Sequence, residues 1–483
     1  MAGSAVGRIA REEWRYWSRS KTGIAASVVV MLLLLTSWVT TFVQVQSERE
    51  ARAQLQKTAE NTFRNQPARH PHRMVHYGHY VFRVPAPLAI IDPGIDPFTG
   101  TVMFLEGHRQ NSATFAPQYT RPQAGPYAIL SPALAYQLLV PLLLIVVGFA
   151  SLSREREART DQLLFTMAVS PSTFWLGKSL ALALLALAAL LPLALVAIQA
   201  WRNGEDGLIV TAFWFGYAAY LLCWVFLVTA ASAWSKRATT ALLVLLACWM
   251  TVSIVLPRVA SSTADTFAPL NSKVQNDLEI TQVLRDKGDS HEANDPAFAK
   301  LSDQLLAQYS VDSIEALPVN FRGIVAGKGE EELTQILNRF ADQRIDQEQT
   351  QAKLASAFSI ASPYLALKSF SIVTASTGLD QHHQFLREAE AGRYSFVQSL
   401  NRVHTNDLSY EDDINRNKSA AASQRARVDA HHWRVLNDFE WMPASNAARL
   451  ASSAPYLAIL LLWTLGAAWV GRVGALRSWR IGE

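Results

Sequence analysis

Charge is scarce in this chain. Asp, Glu, Lys and Arg make up 17% of its 483 residues, where soluble globular chains carry about 25%. Half of the residues are hydrophobic, which argues against an ordinary water-soluble enzyme. Cysteine is scarcer still. Cys223 and Cys248 both lie in apolar stretches, so neither a disulfide framework nor a cysteine zinc site is on offer. The composition also excludes a disordered, collagenous or disulfide-rich secreted chain. No Gly-x-Ser-x-Gly elbow occurs to mark a hydrolase of that type. A complete phosphate-cradling loop is missing too. Gly177-Lys178-Ser179 copies the end of one, but Ser172 stands where its first glycine belongs. The glycines between Gly323 and Gly329 lack the Lys-Ser/Thr ending. The chain is therefore not expected to bind ATP itself.

What is present is apolar and blocked. Six stretches come near the ~20 residues that cross a bilayer as a helix: Ile24–Val43, Pro132–Ala150, Ser179–Ala200, Leu208–Trp234, Thr239–Leu256 and Pro455–Val470. No small-residue cleavage site follows the first, which reads as a retained anchor. None of the six contains Asp, Glu, Lys, Arg or His. Ion-coupled carriers keep ionisable residues at depth. A charge-free membrane domain is therefore an anchor, or it draws its energy from a partner.

Flanking charge sets an orientation. Residues 1–23, 151–178, 235–238 and 471–483 carry 14 basic and six acidic residues. Residues 257–454 carry 20 basic and 26 acidic ones. Lys/Arg bias marks the cytoplasmic side, so both termini and the short loops are expected there. The long segments 44–131 and 257–454 are expected outside. The net charge of +4 is mostly this topology signal, and no nucleic-acid surface is expected.

At 100° per residue, Val6, Ile9, Ala10, Trp14 and Trp17 share one face of a helix, with Arg8, Arg11, Glu12, Arg15 and Arg19 opposite. Glu13 breaks the pattern. Trp and Arg on opposite faces suit a helix lying in the membrane interface. After the second block the chain reads Ser153-Arg154-Glu155-Arg156-Glu157-Ala158-Arg159-Thr160-Asp161-Gln162-Leu163-Leu164-Phe165-Thr166-Met167, then Pro171 and Gly177-Lys178. It opens charged and turns apolar at helical spacing, which predicts a short amphipathic helix.

That run resembles the loop between the second and third membrane helices of ABC type 2 exporter permeases. The shared marks are Glu155, Glu157, Thr160, Leu163, Leu164, Pro171, Gly177 and Lys178, and the resemblance implies that Arg154, Arg159 and Met167 join them in ATPase coupling. The chain departs at Arg159, where the family usually has Gly, and at Asp161, where it usually has an aliphatic residue. The outer segments look like a subgroup with large periplasmic insertions, marked here by Asp92-Pro93-Gly94-Ile95-Asp96-Pro97-Phe98-Thr99-Gly100, Leu317-Pro318-Val319-Asn320-Phe321-Arg322-Gly323-Ile324 and Ser362-Pro363-Tyr364. The resemblance implies a six-helix permease subunit in a bacterial inner membrane. It also implies a second permease chain and a separate ATPase, holding ATP and Mg, that docks on residues 154–170. No catalysis and no cofactor are implied in this chain.

In the first outer segment, His70, His72, His76 and His79 fall within ten residues. Imidazole is a common metal ligand, but Pro71 and Gly78 break any single helical face. The four are a candidate metal set set against a plain polar loop. Tyr80–Val84 and Thr101–Leu105 read as strands around a Pro/Gly-rich turn. The second outer segment reads helical, with stripes at Leu333, Ile336, Leu337 and Phe340, at Phe385, Ala389, Phe396, Leu400 and Val403, and at Val428, Val435, Leu436 and Phe439. Glu330-Glu331-Glu332 and Glu411-Asp412-Asp413 read as solvated faces. The fold class expected is thus a mainly α membrane protein with six transmembrane helices and a mostly helical α+β extracytoplasmic domain built from two loops. Two other functions stay open: a membrane-anchored binding or scaffold module, as in metal-centre maturation, and a membrane-bound hydrolase.

Overall fold

Serine, aspartate and proline set where the long helices begin. In this computed structural model, which describes residues 2–113, 131–161, 169–285, 295–439 and 441–480, the side chain of Ser20 caps α2 (Lys21–Arg64). Ser131 caps α4 (Pro132–Gly148), Ser170 caps α6 (Pro171–Arg202) and Asp206 caps α7 (Gly207–Trp234). Each accepts from an amide in the first turn, and Pro132 and Pro171 fill first-turn positions that need no donor. Before α2 lies α1 (Ala2–Arg19). Between α2 and α4 lie α3 (Pro71–Val75) and two strands. After α4 a turn leads into α5 (Ser153–Glu157).

The chain is mostly helical, and six of the described helices are long and apolar enough to cross a membrane. They are α2, α4 continued into α5, α6, α7, α8 (Ala238–Phe267) and the last helix, Asn446–Arg480. Several run past the apolar blocks. Helix α2 has 44 residues and so extends about 66 Å, twice the ~30 Å hydrocarbon thickness. Helix α6 starts at Pro171 rather than Ser179, because ion pairs let it carry Lys178. In α8 a π-helical turn at Thr251–Val255 is compensated by Ser362, whose hydroxyl donates to the Val252 carbonyl at 2.7 Å. Helix α7 lies at the centre and buries Phe213, Tyr217, Tyr220, Trp224 and Val228. Leu32, Leu35, Leu243, Leu462 and Leu465 stay exposed, as lipid or a second apolar chain requires.

The two polar segments share one head. Strands β1 (His79–Phe82) and β2 (Val102–Leu105) pair antiparallel, His79 opposite Leu105. The second segment supplies α9 (Lys273–Arg285), α10 (Phe321–Ala357), α11 (Pro363–Thr374) and α12 (Leu379–Asn406). The final membrane helix is α13 (Asn446–Arg480). Phe63, Met74, Val81 and Leu105 pack in one core with Phe385, Phe396, Leu400 and Trp433. The stripe at 428–439 is not α-helical. Val428 bridges to Arg69, and Ala430–Asp438 is 3₁₀, which puts the buried Trp433 and Leu436 on one edge at three residues per turn.

Helix α11 keys the head into the bundle. Phe370 sits over Gly216 of α7, where an added Cβ would lie 2.1 Å from its ring. Ser371 donates to Asp92 and lies 2.9 Å from the Tyr217 hydroxyl. Nearby, buried Arg449 of α13 donates to Glu205 at 2.7 Å and to the Thr374 carbonyl.

Candidate functional site

The residue that broke the amphipathic pattern of α1 organises the other end of the bundle. Glu13 is 1% exposed. Lys178 Nζ lies 2.7 Å from its Oε2, and Arg154 Nη2 donates to the same oxygen. Lys178 also reaches Glu155 Oε1 at 3.1 Å, and Thr160 Oγ1 donates to Glu155 Oε2 at 2.6 Å. Arg154 lies over the Tyr16 ring at 3.7 Å. Two acids and two bases thus alternate in a nearly closed cluster, each countering a neighbour. Buried charge persists only when so paired.

Local sequence builds each arm. On α1, Ala10, Glu13 and Trp17 are buried and Val6 and Ile9 half-buried, so this face packs on α6. Trp14, expected on the apolar face, is 38% exposed, because that face is centred on Glu13. Gly177 admits α1: an added Cβ would lie 2.6 Å from Ile9 Cβ and 3.2 Å from the Val6 carbonyl. Pro171 opens α6 at the capping Ser170. Arg156 donates to the Ala233 and Ser235 carbonyls at 2.8 and 2.7 Å, closing the end of α7. Ser232 Oγ accepts from the Leu152 and Ser153 amides at 2.9 and 3.1 Å.

Arg159 has φ +55°, the left-handed region that glycine enters without cost. Its place in the run is where a glycine was to be expected. Arg159 and Glu157 are exposed, while Glu155 turns inward. Leu163, Leu164 and Met167 lie outside the described residues. The Gly177-Lys178-Ser179 run lies within a helix, with Lys178 on carboxylates and Ser179 on Thr229 at 3.2 Å. That is no phosphate cradle.

The four clustered histidines do not converge. His70 caps α3 through its Nδ1, which accepts from the His72 amide at 3.2 Å, and turns Nε2 to Asp413 at 3.1 Å. His79 is buried on β1, its ring 4.5 Å from that of Phe63. Burial pushes its imidazole down to about 4. His72 and His76 remain together, Nε2 to Nε2 at 3.3 Å.

Two acidic triplets expected on solvated faces each send one member inward. Asp413 is fully buried and accepts from His404 at 2.7 Å, from Asn320 at 3.2 Å and from Arg416. Burial opposes its charge, but hydrogen bonds from His404 and His70 outweigh it and hold the carboxyl well below its usual range. Glu330 is likewise buried, 2.6 Å from Arg393 Nη1 and 2.9 Å from His108 Nδ1. Burial again opposes its charge, and His108 and Arg393 together hold it below the usual value. Glu13 is marked locally by breaking an apolar face, whereas no local signal marks Glu330 or Asp413 within their acidic runs.

Two family models match the chain. Residues 105–270 match one described as ABC-2 family transporter protein. Residues 274–442 match the Domain of unknown function (DUF3526). The first takes in α4 to α8, and the second takes in α9 to α12. No curated protein matches the chain.

Proposed function

Because the chain carries an ABC-2 family transporter membrane domain followed by a DUF3526 domain, we propose that it is the membrane-spanning, non-catalytic subunit of an ATP-binding cassette transporter. ABC-2 permeases generally pair with separate ATPase subunits. ATP and Mg would be held by that partner. The observation that carries the reading is the Glu13 cluster. It ties α1, α5 and the start of α6 into one unit at the basic end, with Glu157 and Arg159 exposed beside it. An ATPase seated on residues 154–170 would push on α5, which this cluster ties to α1 and α6.

Movement would then travel along α7, whose 28 residues extend about 42 Å. Ser232 meets the loop at one end, and Gly216 and Tyr217 meet α11 of the head toward the other. The basic end faces the cytoplasm of a bacterial inner membrane, and the head faces outward. A second permease chain, identical or closely related, would cover part of the exposed apolar surface. Substrate export and mechanical movement of the head are both served by this geometry.

Two measurements test the reading. The chain is co-expressed with an ATPase encoded beside it, and co-purification and ATP turnover are followed. Retention of both by a Leu163→Ala, Leu164→Ala double variant would remove the docking loop from the argument. In intact cells, an impermeant thiol reagent should label Asn417→Cys and not Ser170→Cys. The reverse pattern inverts the orientation and sinks the proposal.

A further inference from the structure

Three imidazoles from two separate turns meet on the head. His72 stands at the start of α3 and His76 caps its end, one helical turn on, and His108 follows β2. Each offers a ring nitrogen, and the three lie within 4.8 Å of one another. The ring centroids of His108 are 5.5 Å from His72 and 5.0 Å from His76. We propose that His72, His76 and His108 bind one divalent transition-metal ion of the zinc or copper class.

The distances suit such an ion. Zinc–imidazole bonds of about 2.0–2.1 Å in a tetrahedron put ligand nitrogens about 3.3–3.4 Å apart. The Nε2 atoms of His72 and His76 are 3.3 Å apart. The two nitrogens are within hydrogen-bond distance, and the ion would take the place of the shared proton. All-imidazole donors favour zinc, copper or nickel over the oxygen-seeking magnesium and calcium.

The surrounding residues build the site. His108 Nδ1 pairs with Glu330 Oε2 at 2.9 Å, so the proposal assigns the metal to its Nε2. Glu330 is itself held by Arg393 at 2.6 Å. A carboxylate behind a ligating imidazole fixes its tautomer and raises its basicity. Gly107 closes the turn onto α3: its amide donates to the Val75 carbonyl at 2.9 Å, and a Cβ there would lie 2.0 Å from Val75 Cγ1. The His108 backbone is left-handed, φ +62°, and its amide donates to Glu330 at 3.3 Å. The same carboxylate therefore sets both the backbone and the ring of the third ligand.

A second cluster on the head, among the described residues, lacks this character. His70, His404 and Asp413 are equally close, but the Asp413 oxygens already serve Arg416, Asn320 and Arg322. Those guanidinium groups repel a metal ion. At the proposed site three protein ligands leave a fourth position open. His76 is exposed, so that position faces solvent and the ion is exchangeable. Through Glu330 the ion would also fasten α3 and the turn after β2 to α10.

The test uses the full-length chain in lipid nanodiscs, stripped with a chelator and titrated with Zn²⁺ or Cu²⁺ against a chromophoric competitor. Wild type should take up one equivalent. His76→Gln and His108→Gln should each weaken binding by at least about 10–100-fold, the loss typical of groups one step removed from a metal. His431→Gln, exposed and remote in sequence, should not. Co²⁺ on the wild type should give the visible bands of a low-coordinate nitrogen site, which reports on the ligands without any variant. Zn²⁺ should raise the melting temperature of wild type and not of His76→Gln. Wild type without a bound equivalent, Co²⁺ without those bands, or both variants binding like wild type overturns the proposal. None of these readouts involves an ATPase, so the site stands or fails apart from the transporter reading.

Discussion

Glu13 of the N-terminal helix and Lys178 of the third membrane helix form a 2.7 Å ion pair at 1% and 5% side-chain exposure. The pair joins the helix that lies outside the bundle to one that crosses it. It also explains why Lys178 is tolerated inside a long apolar helix.

Glu13→Gln keeps the shape and removes the charge. Breaking a buried pair on one side costs about 3–5 kcal/mol, because Lys178 and Arg154 lose a shared counter-ion. The expected result is early proteolytic release of α1 and a lower melting temperature in nanodiscs. Glu12→Gln, in an exposed pair with Arg15, should change neither, since such pairs contribute only about 0–1 kcal/mol.

Gly177→Ala tests the seat of α1. Alanine is the better helix former by about 1 kcal/mol, so helix propensity predicts stabilisation. The Cβ–Ile9 approach of 2.6 Å predicts the opposite, displacement of α1. Ile9→Ala should partly rescue it. A double-mutant cycle on α1 protection reads the coupling, and simple additivity would show that the two residues do not meet.

Phe370→Ala should loosen the head from the bundle. Truncating a buried phenylalanine costs about 3–5 kcal/mol, and Phe370 is 1% exposed in the bundle core. Hydrogen exchange should quicken in α11 while the core around Phe396 stays protected. If the transporter reading holds, substrate-linked stimulation of ATP turnover falls while ATPase co-purification persists.

Acid should weaken the head through His79. Burial pushes its pKa down from 6.5 to about 4. The native state therefore refuses a proton that the unfolded chain accepts. The stability that this neutral group contributes is complete above about 6.5 and is lost as pH falls toward 4. His79→Phe keeps a ring against Phe63 and should flatten the fall in melting temperature between pH 6.5 and 4. An unchanged slope would move the acid sensitivity to other groups.

The sequence by itself determined whatever depends on near neighbours. Hydropathy marked the six candidate membrane helices and put the starts of α4 and α7 within one residue, but it misplaced that of α6, which begins at Pro171 behind its cap Ser170 rather than at Ser179. β-Branched and aromatic residues on either side of the Asp92–Gly100 turn marked β1 and β2, and 3.6-residue stripes marked α10 and α12. A stripe at 428–439 misled, because an apolar spacing of three residues, as between Leu436 and Phe439, fits a 3₁₀ turn as well as an α-helix. Only the tertiary structure decided which polar residues were buried. Glu13 is only an exception on its helix face and Glu330 and Asp413 look like solvated charges, and their partners Lys178, Arg393 and His70 lie 165, 63 and 343 residues away. The histidines regrouped for the same reason: His70 found Asp413, and His108 came in from the next turn. A charge is stable in a protein interior only where another chain segment delivers its counter-charge, and that meeting is a property of the fold rather than of any stretch of sequence.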